Sequence, residues 1–421
     1  MGGAEGLTHN PQGGYHRGDP PMPVPSYSWP LMSDPFTLWD RIRLSAFLLN
    51  PRNRWTQGEQ VKAFEQEMAA YVGCRHAVFV SSGSTANTLL AMYLKDRSRS
   101  HRRTTVVFPS TTWTTSVAPF VREGFAPRFL DISFDDLAID MDRLETYLLE
   151  HHEEVAAVFV TGLLGMCPNI SYLQSLQSHY PDVRFWMDNC ENHLSRYDGC
   201  NVSSFMTSTT STYWGHMCTS GEGGFVFTNS SDERDYCLMA RNHGMTRSVE
   251  HPAMYRNTEV DARFDFNLLG SNFRNTDIAA RIGRLDMARI GWYAERRQDL
   301  YDLFIDCLGQ HGRIFEFIPK RGCSNVMFAI PIIPQPTPEQ SDEERSAFKA
   351  AVEGYCVDEG IETRPIISGN LLAQRCYRQY GNRADYPTSE YIHRFGQYCG
   401  LFPSLQEDKV RALAGFINEL P

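Results

Sequence analysis

The sequence predicts an α/β fold in which a parallel β-sheet carries helices on both faces, followed by a smaller C-terminal α/β unit. Two observations predict it. Short apolar runs of strand length alternate with segments of helical periodicity from about residue 60 to about residue 230. After about Ile290 that alternation gives way to a long charged helix and a loop-rich end. The length of 421 residues fits two or three domains at about 150 residues each, enough chain to bury a sizeable core.

Residues 1–28 are rich in Gly, Pro and His, and are expected to form a flexible arm, part of it a cloning remnant. Folded sequence is expected to begin near Trp29-Pro30-Leu31. Residues 60–71 place Val61, Phe64, Met68 and Tyr71 at helical spacing. A first strand over 76–80 leads through Ser81-Ser82-Gly83-Ser84 into a helix reaching Leu94. Further strands are expected at 105–108, 126–130, 155–160, 183–187 and 225–227. The large unit therefore spans 29–290 and the small one 291–421. The latter holds a helix over 293–308, an apolar run at 326–333 and a helix around Lys349.

Composition excludes several function classes. The 40 basic and 50 acidic residues leave a net charge of -10, which disfavours nucleic-acid binding. No apolar run approaches the ~18 residues of a membrane span. Eleven cysteines form no C-x-C or C-x-x-C pair, against a disulfide framework or a thiolate metal site. No signal-peptide pattern precedes the folded sequence, so the cytoplasm is the expected setting and the three glycosylation sequons are chance matches. There is no Walker GxxxxGK[ST] and no strand-linked GxGxxG.

Four places can carry chemistry. Ser82-Gly83-Ser84 opens a helix after a strand, where unpaired N–H groups, the dipole and two hydroxyls can hold a phosphate; an ordinary Ser N-cap explains the same residues. Asp188 ends an apolar strand, where parallel sheets bind ligands, and can pair with a cationic ring nitrogen or simply start a turn. Trp113 follows another strand and can stack on a planar ring or fill the core. His216 lies in Ser211-Thr212-Tyr213-Trp214-Gly215-His216, ahead of the glycines of Gly221-Glu222-Gly223-Gly224, and can serve as an acid or base.

The span from about Trp29 onward resembles the pyridoxal-phosphate sugar aminotransferase/dehydratase family of fold type I. The resemblance rests on Thr56-x-Gly58-x-x-Val61-x-x-Phe64-Glu65, Ser82-Gly83-Ser84-Thr85-Ala86-Asn87, Asp188-Asn189-Cys190-Glu191, Gly221-Glu222-Gly223-Gly224 and Asn272-x-x-x-Thr276-Asp277. It implies a mostly parallel seven-stranded sheet in the large domain. The family carries a cofactor-bonding lysine five residues after the serine that matches Ser211; here that position is His216. The chain has five lysines, and none lies between Lys95 and Lys320. The same lysine-to-histidine change marks the 3-dehydratases of 3,6-dideoxysugar synthesis, which Gly360-Ile361-Glu362-Thr363-Arg364 and Gly369-Asn370-Leu371 also resemble.

That branch implies pyridoxamine phosphate held without a covalent bond. It implies loss of the C3 hydroxyl from a nucleotide-linked 4-keto-6-deoxyhexose, with GDP-4-keto-6-deoxymannose of a colitose-type pathway as substrate. Glutamate would restore the amine form of the cofactor, giving 2-oxoglutarate. His216 would move protons and Asp188 would hold the ring nitrogen protonated. Gly83, Ser84 and Ser211 would hold the phosphate, together with Asn272 from the second subunit of a homodimer with a shared site. Trp113 would stack on the ring and Glu191 would support the site. His243 and Arg364 are further substrate contacts, Arg364 having a surface ion pair as its alternative. An iron–sulfur cluster, present in a related dehydratase with a C-x-C pair, is not expected. The alternatives are an aminotransferase that stops at the 4-amino sugar, or an inactive binding protein on the same fold.

Overall fold

The computed structural model describes residues 7–9, 15–17, 27–98, 101–309 and 312–420. Most of the arm expected over 1–28 falls outside them; within it, residues 7–9 and 15–17 pair as two short antiparallel strands. Trp29 is 1% exposed, and its indole Nε1 donates to the Gly400 carbonyl at 2.8 Å.

In chain order the framework of the large sheet is α1 (Leu38–Leu49), α2 (Glu59–Val72), β1 (His76–Val80), α3 (Gly83–Arg97), β2 (Thr105–Pro109), α4 (Thr114–Arg122), β3 (Ala126–Leu130), α5 (Met141–His151), β4 (Val155–Thr161), α6 (Ile170–His179), β5 (Arg184–Asp188), β6 (Ser208–Ser211), β7 (Gly224–Thr228), α7 (Ser231–Ala240) and α8 (Asp277–Met287). The seven strands lie in the order β1-β7-β6-β5-β4-β2-β3. Five run as a parallel block, β6-β5-β4-β2-β3. β7 alone opposes its neighbours, pairing antiparallel with both β6 and β1.

Alternation along the strands sends side chains to two buried faces. Val106, Phe108, Phe159 and Trp186 pack with α3, α4 and α7. Val107, Val158, Val160 and Met187 pack with α5 and α6. Towards β1, Phe79 and Phe225 close on Phe64 of α2 with ring centroids 5.1 and 4.9 Å away. Losing a buried Phe of this kind costs roughly 3–5 kcal/mol.

β6 is the strand the apolar pattern does not reveal. Its residues Ser208, Thr209, Thr210 and Ser211 are all polar and all buried. Their hydroxyls are spent on local partners, Ser208 on the Ser203 carbonyl and Thr209 on Asn87.

The remaining chain builds α9 (Ile290–Leu308), β8 (Ala329–Ile332), α10 (Asp342–Asp358), β9 (Thr363–Pro365), α11 (Pro387–Phe395), β10 (Gln397–Gly400) and α12 (Glu407–Glu419). Here β10 lies between β8 and β9, antiparallel to both. Its core is continuous with Leu163, Leu164 and Met166 beyond the end of β4. Gly165 makes that join possible. Its φ of +89° suits glycine, and a Cβ there would lie 2.0 Å from the Val326 carbonyl oxygen. Among the described residues no helix is long and apolar enough to cross a membrane.

Candidate active site

The C-terminal ends of β1, β2, β4, β5 and β6 meet one cavity of about 420 Å³. The start of β7 reaches the same edge because that strand runs the other way. This is where a sheet of this kind collects ligand groups from separate crossovers. Gly83, Ser84, Trp113, Asp188, Glu191, Ser211 and His216 all line it.

Ser82 performs the capping role the sequence left open. Its hydroxyl accepts from the Thr85 N–H at 3.1 Å, while its own N–H donates to the Thr85 hydroxyl at 3.0 Å. The cap does not close the site, because Gly83 and Ser84, the first residues of α3, still line the cavity. A Cβ at Gly83 would lie 2.9 Å from Cys190 Sγ and 3.0 Å from Ser211 Cβ, so only glycine leaves the space between α3 and β6 open. The Ser84 hydroxyl donates to Thr115 at 3.1 Å. Hydroxyls, a helix N-terminus and an open cradle form a donor set suited to a phosphate.

Asp188 is the last residue of β5 and 3% exposed. Its Oδ2 accepts from Asn87 Nδ2 at 2.9 Å and from the Ser116 hydroxyl at 2.8 Å, and its Oδ1 from the Cys190 N–H at 3.1 Å. Glu191 is held by the Leu164 N–H, which donates to Oε2 at 3.0 Å. Burial pushes the Glu191 carboxyl up to about 8, the Leu164 N–H opposes, and the Asp188 charge adds to the rise. Burial thus favours the protonated form of Glu191.

His216 sits on the loop leaving β6. Its ring lies 5.6 Å from Phe328 and 6.2 Å from Tyr213. Burial pushes its pKa down to about 4 despite the opposing Asp188 charge, and the Arg297 guanidinium lowers it further. At neutral pH the imidazole is a free base. Its Nδ1 is buried without a partner.

Trp113, the N-cap residue of α4, is 54% exposed and stands at the cavity rim. Asn272, His243 and Arg364 do not line the cavity. Asn272 accepts from Arg274 Nε at 3.1 Å, and His243 occupies a left-handed turn at φ 61° beside it. Arg364 turns to the Glu362 carboxylate at 2.6 Å, the surface ion pair weighed from the sequence. Among the lining residues that sequence reasoning missed are Met32, Thr161, Phe328, Ile367 and Tyr398. Thr161 closes a recognised strand, and its place directly after the apolar run Val155–Val160 was the signal that could have found it. The other four come from distant segments with no local signature.

Three comparisons bear on this arrangement. The DegT/DnrJ/EryC1/StrS aminotransferase family signature matches residues 46–418. The GDP-4-keto-6-deoxy-D-mannose 3-dehydratase of Yersinia pseudotuberculosis is 27% identical over 89% of this chain and 94% of its own length. The GDP-perosamine synthase of Vibrio cholerae is 23% identical over 86% of this chain and 91% of its own. In fold, the chain is similar to the Escherichia coli GDP-4-keto-6-deoxy-D-mannose 3-dehydratase with bound hydrated PLP. The TM-score is 0.82 at 22% identity, covering 93% of this chain and 99% of that one.

Proposed function

We propose, from the premise that this chain belongs to the DegT/DnrJ/EryC1/StrS aminotransferase family, that it removes the C3 hydroxyl from a nucleotide-linked 4-keto-6-deoxyhexose. GDP-4-keto-6-deoxymannose is the substrate we assign, with glutamate as the amine source. The observation that carries this reading is His216. It faces the cavity at the position where the family keeps its lysine, and none of the chain's five lysines lines that cavity. An imidazole cannot bond to the cofactor as a lysine amine does, but it can move a proton.

The cavity fits pyridoxal and pyridoxamine phosphate: an anion cradle at Gly83, Ser84 and Ser211, a buried carboxylate at Asp188, and an indole at the rim. When bound, pyridoxamine phosphate supplies an amine for the C4 ketone and a ring that accepts an electron pair. Asp188 holds a proton on the ring nitrogen. His216, neutral at working pH, would take a proton at the cofactor C4′ carbon and, once charged, could return one to the C3 oxygen. In the glutamate half-reaction His216 would work in the other direction, taking the proton from the glutamate Cα and delivering it to C4′. Glu191, whose carboxyl is pushed up by burial and accepts from the Leu164 N–H, would have a proton available to donate beside the ring. Trp113 covers the open face.

We also assign a homodimer. Leu38 and Trp39 of α1 are 72% and 69% exposed, and Phe264, Phe266 and Leu269 are 60%, 56% and 91% exposed. A second copy would cover these exposed apolar side chains, with Asn272 of each chain reaching the other's phosphate cradle.

The test is product analysis by mass spectrometry after incubation with pyridoxal phosphate, glutamate and GDP-4-keto-6-deoxymannose. A 3-deoxy-4-keto sugar with release of ammonia supports the proposal. A 4-amino sugar retaining its 3-hydroxyl identifies an aminotransferase, and no turnover of a panel of nucleotide 4-keto-6-deoxyhexoses identifies a binding protein.

A further inference from the structure

Asp188 can keep a ring nitrogen protonated only while it is the weaker base of the two. Two carboxylates with the same sequence neighbours can differ in this, because donors that point at the negative charge lower its affinity for a proton. The surroundings of Asp188 supply such donors, and one of them is locked.

Asn87 lies on α3 and is 1% exposed. Its Nδ2 is 3.2 Å from the Thr115 carbonyl oxygen, which can only accept. Its Oδ1 receives the Thr209 hydroxyl at 2.6 Å. The Thr115 carbonyl fixes the amide orientation, and the Thr209 hydroxyl completes it by donating to the oxygen. With nitrogen and oxygen so assigned, Asn87 meets Asp188 Oδ2 as a donor, at 2.9 Å. The Ser116 hydroxyl, on the same oxygen at 2.8 Å, can rotate to accept; the Asn87 amide cannot. Thr209 belongs to the strand β6.

We propose that Asn87 is a positioning residue which, by donating to Asp188 and never accepting from it, keeps the shared proton on the cofactor ring nitrogen. The inference rests on the cofactor assignment made above. Asn87 touches neither cofactor nor substrate in this role; it acts through Asp188. Thr209 and the Thr115 carbonyl act one step further back, by holding the amide.

The test is the ¹⁵N chemical shift of pyridoxamine phosphate labelled at the ring nitrogen and bound to the full-length protein, compared in wild type, Asn87→Leu and Asn87→Ala. Leucine is close to asparagine in size but donates nothing. Wild type should show a protonated nitrogen. In Asn87→Leu the proton should shift toward Asp188, moving the resonance toward that of a neutral ring nitrogen. Hydrogen bonds to charged groups are worth ~1.5–3 kcal/mol, so the balance between the two proton positions should change by about tenfold to a hundredfold. A wild-type shift in a folded Asn87→Leu protein overturns the proposal. If Asn87→Leu does not fold, Asn87→Ala carries the same decision: displacement in the same direction supports donor control of the proton, and an unchanged shift overturns it. Failure of the wild type to bind pyridoxamine phosphate at all would instead overturn the cofactor assignment.

Discussion

Asp188 and His216 face the same cavity but are anchored in opposite ways. Asp188 ends a central strand and receives three hydrogen bonds, from Asn87, Ser116 and the Cys190 backbone. His216 stands on a loop between the exposed Tyr213 and Trp214 and the buried Met217, packed on Phe328, with Nδ1 unpartnered. The floor of the site is a fixed charge; its wall is an uncommitted base. The difference fits the roles proposed for each. A group that holds one protonation state gains from every fixed donor, whereas a group that takes and returns a proton loses reactivity with each hydrogen bond it must break.

Substitutions can break this contrast one side at a time. The largest effect should come from His216→Asn. The side chain stays polar and fits the space, so pyridoxamine phosphate should still bind. Dehydration and the glutamate half-reaction should both fall by ~10²–10⁴, the usual contribution of a positioned acid or base. Single-turnover kinetics on both half-reactions would check this. Full activity in the variant would make His216 a space-filler.

Asp188→Asn comes next. Asn87 and Ser116 would orient the new amide with its oxygen toward themselves, leaving its nitrogen toward Cys190 and the cavity. A donor would then face the ring nitrogen. Turnover should fall by ~10²–10³, as when one preorganised electrostatic group is lost, with little change in the melting temperature. Equal turnover would reduce Asp188 to a turn residue.

The smallest effect sharpens the electrostatics. Glu191 has its folded pKa raised to about 8 by burial, against an ordinary value near 4.5. The folded chain binds the extra proton across that window, so this group costs stability as pH rises from about 4.5 to about 8. His216, lowered to about 4, acts the other way: its neutral form is favoured in the fold, and stability is lost as pH falls from about 6.5 to about 4. Glu191→Gln should therefore melt higher than wild type at pH 9 than it does at pH 6, on the order of a few degrees. An equal difference at both pH values would place the ionisation elsewhere.

The same contrast separates what the sequence reveals from what it hides. Asp188, Gly83 and Ser84 were legible because each comes after an apolar strand, and the fold carries strand ends to one edge. The strand β6 was hidden because its side chains are polar and hydrogen-bond to backbone and amide groups instead of packing as an apolar face, although four β-branched threonines among residues 207–212 are a signal of a kind. Tyr398, Phe328 and Met32 reach the cavity through tertiary packing alone: Met32 because Trp29 is pinned to Gly360 and Gly400, Phe328 because its N–H donates to the Leu164 carbonyl at 2.9 Å. His216 was legible only as a departure from a family pattern; a lone histidine among glycines says little by itself.

The central claim is that an imidazole works on a cofactor the chain does not bond to. Borohydride reduction of the protein loaded with pyridoxal phosphate, followed by peptide mass spectrometry, tests it directly. The account predicts no pyridoxyl adduct on any wild-type lysine, and an adduct at position 216 together with yellow absorbance in His216→Lys. A stable pyridoxyl-lysine peptide from the wild-type chain would contradict it.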